Sequence, residues 1–410
     1  MGWEWYNWIA IFLLASQGLF LYQSWRNYRY ALAKSRRINA YYHPRVLLTV
    51  PCKGIDREFE KNISSVLHQD YPDFILHFVV EDALDPAYES LTGLVASLAA
   101  GSQARRVEVL VAGKGQECSQ KIHNLLHSCR RSPEGTQVFA FADSDACLPA
   151  NWLNALVYPL RKDHWGATTG YRWFVPRADN LATLALSAIN AKIAQQLGNT
   201  MFNHLWGGSM AVRTDLFGAA DLERIWQNTI SDDLGLSYAV KKAGRRVAFV
   251  PECLVASYEQ TTWRGLLEFV RRQFLITRIV TPGTWRFGLF AMLYSLLGPW
   301  GGLAIFCYAW ATGIEFNWML WAAVPAIFLI GNVGIAILRQ RMIRVILPED
   351  TERLRAAARA DVWGTLVWSW LLFFCILSSA FGRTITWRGI RYRLIGPDRT
   401  QILTPRSSGQ

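Results

Sequence analysis

Six places along this 410-residue chain combine residue types that can act on a phosphorylated or hydroxylated ligand. Glu81-Asp82 follows the apolar run Phe74–Val80, and a carboxylate at a strand's carboxyl end can accept hydrogen bonds from a ribose or a base. Asp143-Ser144-Asp145 follows Val138–Ala142. Two carboxylates one residue apart can face one hard cation, Mg2+ or Mn2+, which takes oxygen ligands and keeps positions open for a pyrophosphate. Such an ion neutralises charge growing on a departing nucleotide diphosphate. Ser231-Asp232-Asp233-Leu234-Gly235 opens an amphipathic stretch that stops at Gly244. An acid there stays ionised beside the helix dipole, either as a cap or as a general base for a hydroxyl. In Trp206-Gly207-Gly208-Ser209-Met210, the paired glycines let backbone approach a ligand closely. Lys121 and Asn124, after Gly113-Lys114-Gly115, offer an amine and an amide to a phosphate or sugar. In Trp263–Val280, Arg271, Arg272, Gln273 and Arg278 could hold a diphosphate bidentately or meet lipid headgroups. Taken singly, each also reads as a loop acid, a cap, a turn or a solvated helix face.

The elements that must position these groups follow from periodicity. Short β-rich runs at Val46–Pro51, Phe74–Asp82, Arg106–Gly113, Gln137–Asp145 and Gly166–Tyr171 alternate with amphipathic stretches. The latter are Arg57–Gln69, Pro86–Ala100 and Gln120–Cys129. That alternation predicts an α/β domain with a mainly parallel sheet, in which ligands bind beyond the carboxyl ends of the strands. The acidic pairs lie at such ends.

The rest of the chain reads as membrane protein. Apolar residues make up 51% and there are 19 tryptophans, which suits a bilayer interface. The net charge of +12 sits largely beside apolar runs, at Arg36–Arg37, Arg339–Arg344 and Arg383–Arg393. It therefore reads as juxtamembrane charge and not as a nucleic-acid stripe. The seven cysteines are odd in number and lack metal-ligand spacing, as in a reduced compartment. Tyr6–Trp25 is an uncharged run of spanning length without a basic segment before it or a cleavage site after it. With basic residues following, it predicts an anchor, an outside N-terminus and a cytoplasmic α/β domain. Phe287–Trp310 and Trp318–Leu338, joined through Gly313–Asn317, and Val362–Phe381 are further spans. Arg339–Ala360 between them reads as an interfacial helix. Four full spans would leave Arg383–Arg393 outside, against the positive-inside tendency, so either one stretch is re-entrant or the tail is an exception. The expected organisation is an anchor at 1–28, a catalytic domain at 40–260, an interfacial segment at 261–285, membrane and interfacial helices at 286–385, and a basic tail at 386–410.

The order of these features resembles the inverting glycosyltransferases of the GT-A fold. More narrowly it is similar to the ceramide glucosyltransferase family and its bacterial, hopanoid-associated relatives. The stretches that carry the resemblance are 50–54, 69–72, Val80-Glu81-Asp82 with Asp85-Pro86, Lys121–Leu125, Asp143–Asp145, Trp206–Met210, Asp232-Asp233 and Trp387–Tyr392. The resemblance implies a Rossmann-like GT-A domain between an N-terminal membrane helix and a C-terminal helical group, in a bacterial inner membrane. It places Lys53, Glu81, Asp82, Lys121, Asp143, Gly207, Gly208 and Asp232 around a nucleotide-sugar. It makes Asp143 and Asp145 metal ligands, Asp145 the more direct, and Asp233, last of its acid pair, the base. The family's Gln/Arg-x-x-Arg-Trp motif is altered to Val270-Arg271-Arg272-Gln273-Phe274, so Arg271, Arg272 or Gln273 holds the diphosphate. The implied reaction is metal-dependent transfer of a hexose, glucose from UDP-glucose, to ceramide or a similar lipid, with no nucleic acid and no obligate protein partner. Transfer of N-acetylglucosamine, or to diacylglycerol or a hopanoid, remains open. A processive synthase calls for more spanning helices and the intact motif. A transporter places ionisable groups inside its spans, which here are nearly free of charge.

Overall fold

The computed structural model describes residues 4–35, 42–116, 118–313, 317–387 and 390–403. Arg36–Arg37, Arg388-Gly389 and the centre of the turn Gly313–Asn317 lie outside the described residues. The strands are β1 (Val46–Pro51), β2 (Phe74–Val80), β3 (Arg106–Val111), β4 (Val138–Ala142), β5 (Trp165–Pro176), β6 (Ser209–Arg213), β7 (Arg246–Glu259), β8 (Thr384–Trp387), β9 (Ile390–Gly396) and β10 (Arg399–Leu403). The helices of the α/β part are α2 (Phe59–Leu67), α3 (Pro86–Leu98), α4 (Gln120–Cys129), α5 (Trp152–Val157), α6 (Leu181–Ala194), α7 (Thr214–Ala219), α8 (Leu222–Gln227) and α9 (Asp232–Lys242). Around them stand α1 (Trp5–Ser35), α10 (Trp263–Val280), α11 (Pro282–Leu296), α12 (Gly302–Thr312), α13 (Trp318–Ile346), α14 (Arg355–Trp363) and α15 (Thr365–Ser378).

Seven strands form one sheet in the order β3-β2-β1-β4-β6-β5-β7. All run parallel except β6, which is antiparallel to both neighbours. Every residue of β1 except its last and every residue of β2 and β4 is buried, as expected where helices cover both faces. His77, inside β2, sits between Ser128 Oγ (2.9 Å) and Glu108 (3.0 Å) and ties α4 to the sheet. Ser187 Oγ donates to the Phe174 carbonyl (2.7 Å), and Asn190 Oδ1 accepts from its N–H (3.0 Å), locking α6 onto β5.

Among the described residues two helices are long and apolar enough to cross a membrane, Pro282–Thr312 and α13. The first comprises α11 and α12, joined by a wide helical turn at Leu297–Gly301 where Pro299 removes a donor. α1, the expected anchor, falls short of that measure and buries its polar Asn7, Gln17 and Asn27; it packs along α13. The expected third span shrinks to α15, 14 residues bent 83° from α14. Arg339–Ala360 is not one interfacial helix. α13 continues to Ile346, and Arg339 is buried, donating to Asp361 (2.5 Å). The expected free tail is a three-stranded antiparallel sheet, β8 to β10. Its Ile385, Tyr392 and Leu394 pack with Leu275 and Ile276 of α10 and with Ile230 beside α9, so it lies against the α/β domain. All seven cysteines are free.

Candidate active site

The antiparallel strand β6 brings distant motifs together. Ala142, the last residue of β4, pairs with Ser209, the first of β6. The chain entering β6 therefore lies beside the chain leaving β4, which sets Gly207-Gly208 against Asp143. A Cβ on Gly208 would stand 2.8 Å from Asp143 Oδ2 and 2.2 Å from the Trp206 ring. One on Gly207 would stand 2.3 Å from Asp232 Oδ2 and 2.8 Å from Lys121 Nζ. Lys121, in the first turn of α4, joins the motifs: its Nζ is 2.7 Å from Asp143 Oδ1, 2.9 Å from Asp232 Oδ2 and 3.3 Å from the Gly207 carbonyl.

Burial pulls the Lys121 amine down, but Asp143 and Asp232 outweigh it and hold the ammonium above its usual value. Asp232 is only 5% exposed. Burial pushes its carboxyl up to about 6; Lys121 opposes this, while Asp233 and Asp143 add to it. Asp145 is pushed up to about 6 by desolvation and Asp143, against Arg172 and Lys121. Asp145 is exposed, and solvent screens part of that effect.

Asp233 differs from its neighbour. Ser231 Oγ accepts from the backbone N–H of Leu234 (3.2 Å) and donates to Asp233 Oδ1. Asp233 Oδ1 also accepts from Leu234 N at 2.7 Å, and Oδ2 from Gly207 N at 3.3 Å. The carboxylate is thus aimed from the start of α9 across the glycine pair, half-buried, with capacity left on Oδ2. Tyr171 lies near enough for the Asp233 charge to raise its phenol, though burial is the larger cause.

At the ends of β1 and β2, Lys53 Nζ meets Glu81 Oε2 at 2.9 Å. Asp82 is exposed and accepts from Leu84 N (3.0 Å), while Asp85 Oδ1 accepts from Gly54 N (2.8 Å) and clasps the two loops. Burial, then Cys118 and Glu81, raise the Tyr392 phenol, so the C-terminal sheet reaches this edge of the site. Asn124 is withdrawn from it, buried and donating to the Val79 carbonyl (3.2 Å).

The α10 candidates separate. Arg271 Nη2 donates to the Phe381 carbonyl (3.0 Å), which commits it to the tail, and Gln273 is exposed. Arg272 lies over the Phe269 ring (5.6 Å), and its basicity is lowered by burial and then by Arg172. Arg172, on β5, touches Phe174, Phe269 and Trp206 and acts on Asp145. The sequence reading ended that strand at Tyr171 and missed it. An arginine flanked by Tyr171 and Trp173 was the available signal.

The family model for glycosyl transferase family 21 matches residues 8–399. The chain belongs to glycosyl transferase family 21. This is the ceramide glucosyltransferase family that the motifs resembled, and a family 21 glycosyltransferase is an enzyme of sugar transfer. No curated protein matches. Among solved structures, the mannosyltransferase PcManGT from Pyrobaculum calidifontis, in complex with GDP-Man and Mn2+, is 17% identical. The alignment covers 91% of this chain and 97% of that one at a TM-score of 0.44. GalNAc-T7 with UDP, GalNAc and Mn2+ is 13% identical over 58% of this chain and 51% of that one, at 0.38. TarS 1–349 of S. aureus is 9% identical over 87% and 98%, at 0.36. All three scores fall below 0.5, too low to carry an argument.

The donor set of this family 21 enzyme fits a divalent cation held jointly with a substrate. Among the described residues no three His, Cys, Asp or Glu side chains form a metal cage. Asp143 and Asp145 supply two carboxylates, the number Mg2+ uses when phosphates and water complete its shell. Burial first and then the Asp143 charge raise the Asp145 carboxyl, and a cation between the two would favour the ionised forms.

Proposed function

We propose that this enzyme transfers glucose from UDP-glucose to the hydroxyl of ceramide or a similar membrane lipid, with inversion, at the cytoplasmic face of a bacterial inner membrane. The observation that carries the reading is the half-buried Asp233 carboxylate beside the Lys121–Asp143–Asp232 cluster, on a domain joined through α10 to two apolar helices.

Asp143 and Asp145 would hold Mg2+ or Mn2+, which supplies positive charge to the leaving diphosphate. Lys121 keeps Asp143 and Asp232 ionised and fixed before substrate arrives, so that less reorganisation is left for the reaction. Lys53, Glu81 and the Asp82 loop take the nucleoside end. Arg172 and Arg272 lie on the side where charge develops on the diphosphate and can pair with it. The lipid oxygen attacks the anomeric carbon, the bond to the diphosphate oxygen breaks with its electron pair on that oxygen, and the hydroxyl proton goes to Asp233 Oδ2. One displacement inverts the centre.

For topology, we read α1, the α11–α12 pair and α13 as spans and α14–α15 as a re-entrant bend. That count returns the basic β8–β10 sheet to the catalytic side and satisfies the positive-inside tendency. The test is nucleotide-diphosphate release by the full chain in nanodiscs, with UDP-glucose, UDP-galactose or UDP-N-acetylglucosamine against ceramide, diacylglycerol or a hopanoid, with and without Mn2+. Lipid-dependent release from UDP-glucose is expected. Release that ignores every lipid would shift the acceptor to a growing sugar chain.

A further inference from the structure

The C-terminal sheet and the end of α10 border an open, shallow cleft of about 570 Å³ that none of the donor-site carboxylates lines. Its charged lining is arginine alone: Arg278 from α10, Arg383 just before β8, and Arg393 on β9. Thr384 adds a hydroxyl, and Phe381 and Leu403 are apolar. No acidic side chain lines it among the described residues.

The arginines shape the cleft through backbone and keep donors in reserve. Arg278 Nη2 donates to the Gly382 carbonyl, and Arg383 Nη1 to the Ile395 carbonyl at 3.2 Å. Arg278 Nε is buried without a hydrogen-bond partner among the described residues. Burial, then Arg383 and Arg271, hold the Arg278 guanidinium below its usual value: like charges are crowded beside a lining that holds no acidic side chain among the described residues. An anion with several oxygens would satisfy both the unpaired donor and the charge.

Position identifies the anion. Arg278 lies four residues before Pro282, where the first spanning helix starts, and Phe381, 73% exposed, follows the end of α15. A cationic cleft with an exposed aromatic beside it, at the foot of apolar helices, matches a headgroup below an acyl chain. Arg278 also stands seven residues, about two turns, beyond Arg271. It therefore shares the face that holds the tail, where Arg271 donates to the Phe381 carbonyl, and not the face on which Arg272 meets Phe269 and Arg172. We propose that this cleft binds the phosphate of an anionic membrane lipid, with the acyl chain passing Phe381, as a site separate from donor and acceptor.

The test uses the full chain in detergent, titrated with phosphatidylglycerol, phosphatidylcholine or inorganic phosphate while the thermal midpoint is read. Phosphatidylglycerol should raise the midpoint saturably and the other two should not. Arg383→Gln and Arg393→Gln should each require about tenfold more lipid for the same rise, the loss of roughly one charge-assisted contact. Arg393→Lys, which keeps the charge and loses the fork, should recover part of the response and guards against a folding defect. Identical titrations for wild type and the Gln variants would overturn the site. A full response to inorganic phosphate would overturn the lipid as its ligand. Neither outcome depends on which sugar or acceptor the enzyme uses.

Discussion

Asp232 and Asp233 are adjacent in sequence and different in chemistry. Asp232 is buried on Lys121, whereas Asp233 is half-buried with an oxygen over the glycine pair. Asp233→Asn should therefore abolish transfer while leaving UDP-sugar affinity nearly intact, since the base acts on the acceptor; calorimetry beside a turnover assay decides. Equal loss of both would remove Asp233 from that role. Gly207→Ala places a methyl 2.3 Å from Asp232 Oδ2 and should cost at least tenfold in turnover, on the order of 1.4 kcal/mol in barrier, with the fold retained by circular dichroism. Asp145 and Asp232 both have carboxyls raised to about 6. Turnover should fall as pH drops through about 6, because protonation removes charges that the cluster needs, and the apparent value belongs to the coupled group. Saturating Mn2+ should move that limb lower, since a cation favours the ionised carboxylates; a limb unmoved by Mn2+ would take Asp143 and Asp145 out of the metal site. These acids were legible in sequence because each ends an apolar strand or opens a helix. Arg172 was not, because its value comes from packing against Trp206 and Phe269, residues far away along the chain.

At the scale of elements, α4 and α9 run in the structure over the stretches that the sequence pattern marked, since an amphipathic helix shows its buried stripe locally. β6 and β7 were not marked. β6 is five residues long and is antiparallel only because of its neighbours, and neither property is written in its own residues. The tail strands read as basic tail because alternation in Ile390–Gly396 exposes its arginines while Tyr392 and Leu394 are buried. α10 shows what a motif match cannot tell: which face each arginine takes. Arg271 grips the Phe381 carbonyl and Arg272 faces Arg172. Arg272→Gln should lower kcat with UDP-glucose by roughly tenfold or more, the range for losing one charge-assisted contact. Arg271→Gln should instead speed proteolysis of the β8–β10 sheet while changing kcat less. The reverse pattern would assign the diphosphate to Arg271.

Across the whole molecule, the apolar helices and the α/β domain are joined by a buried polar knot that sequence patterning hid. Arg339 reads as interfacial charge because Arg341 and Arg344 follow it, yet those two are exposed while Arg339 points inward. Its guanidinium holds Asp361 of α14 and donates to Gln195 Oε1 (3.0 Å), just after α6. Gln340 Nε2 adds a bond to Asp361 (2.7 Å), and Asn27 of α1 donates to the Gln195 carbonyl (3.0 Å). One carboxylate thus organises α1, α6, α13 and α14. Beside it Lys192 of α6 donates to the Thr365 carbonyl (2.9 Å) and Ser369 Oγ (3.1 Å), adding α15. Removing one partner of a buried pair strands the other charge, so Asp361→Ala should destabilise the protein by about 3–5 kcal/mol. Because α6 is bonded to the strand that carries Arg172, turnover of the surviving folded protein should fall as well. The double change Arg339→Met with Asp361→Leu should recover most of the stability, since an apolar pair of similar volume replaces a buried ion pair at little cost. Thermal unfolding in detergent reads the first effect and nucleotide-diphosphate release the second. Recovery of stability without recovery of turnover would mean that the knot sets the alignment of α6 beneath the site; recovery of both would mean that it only holds the helices together.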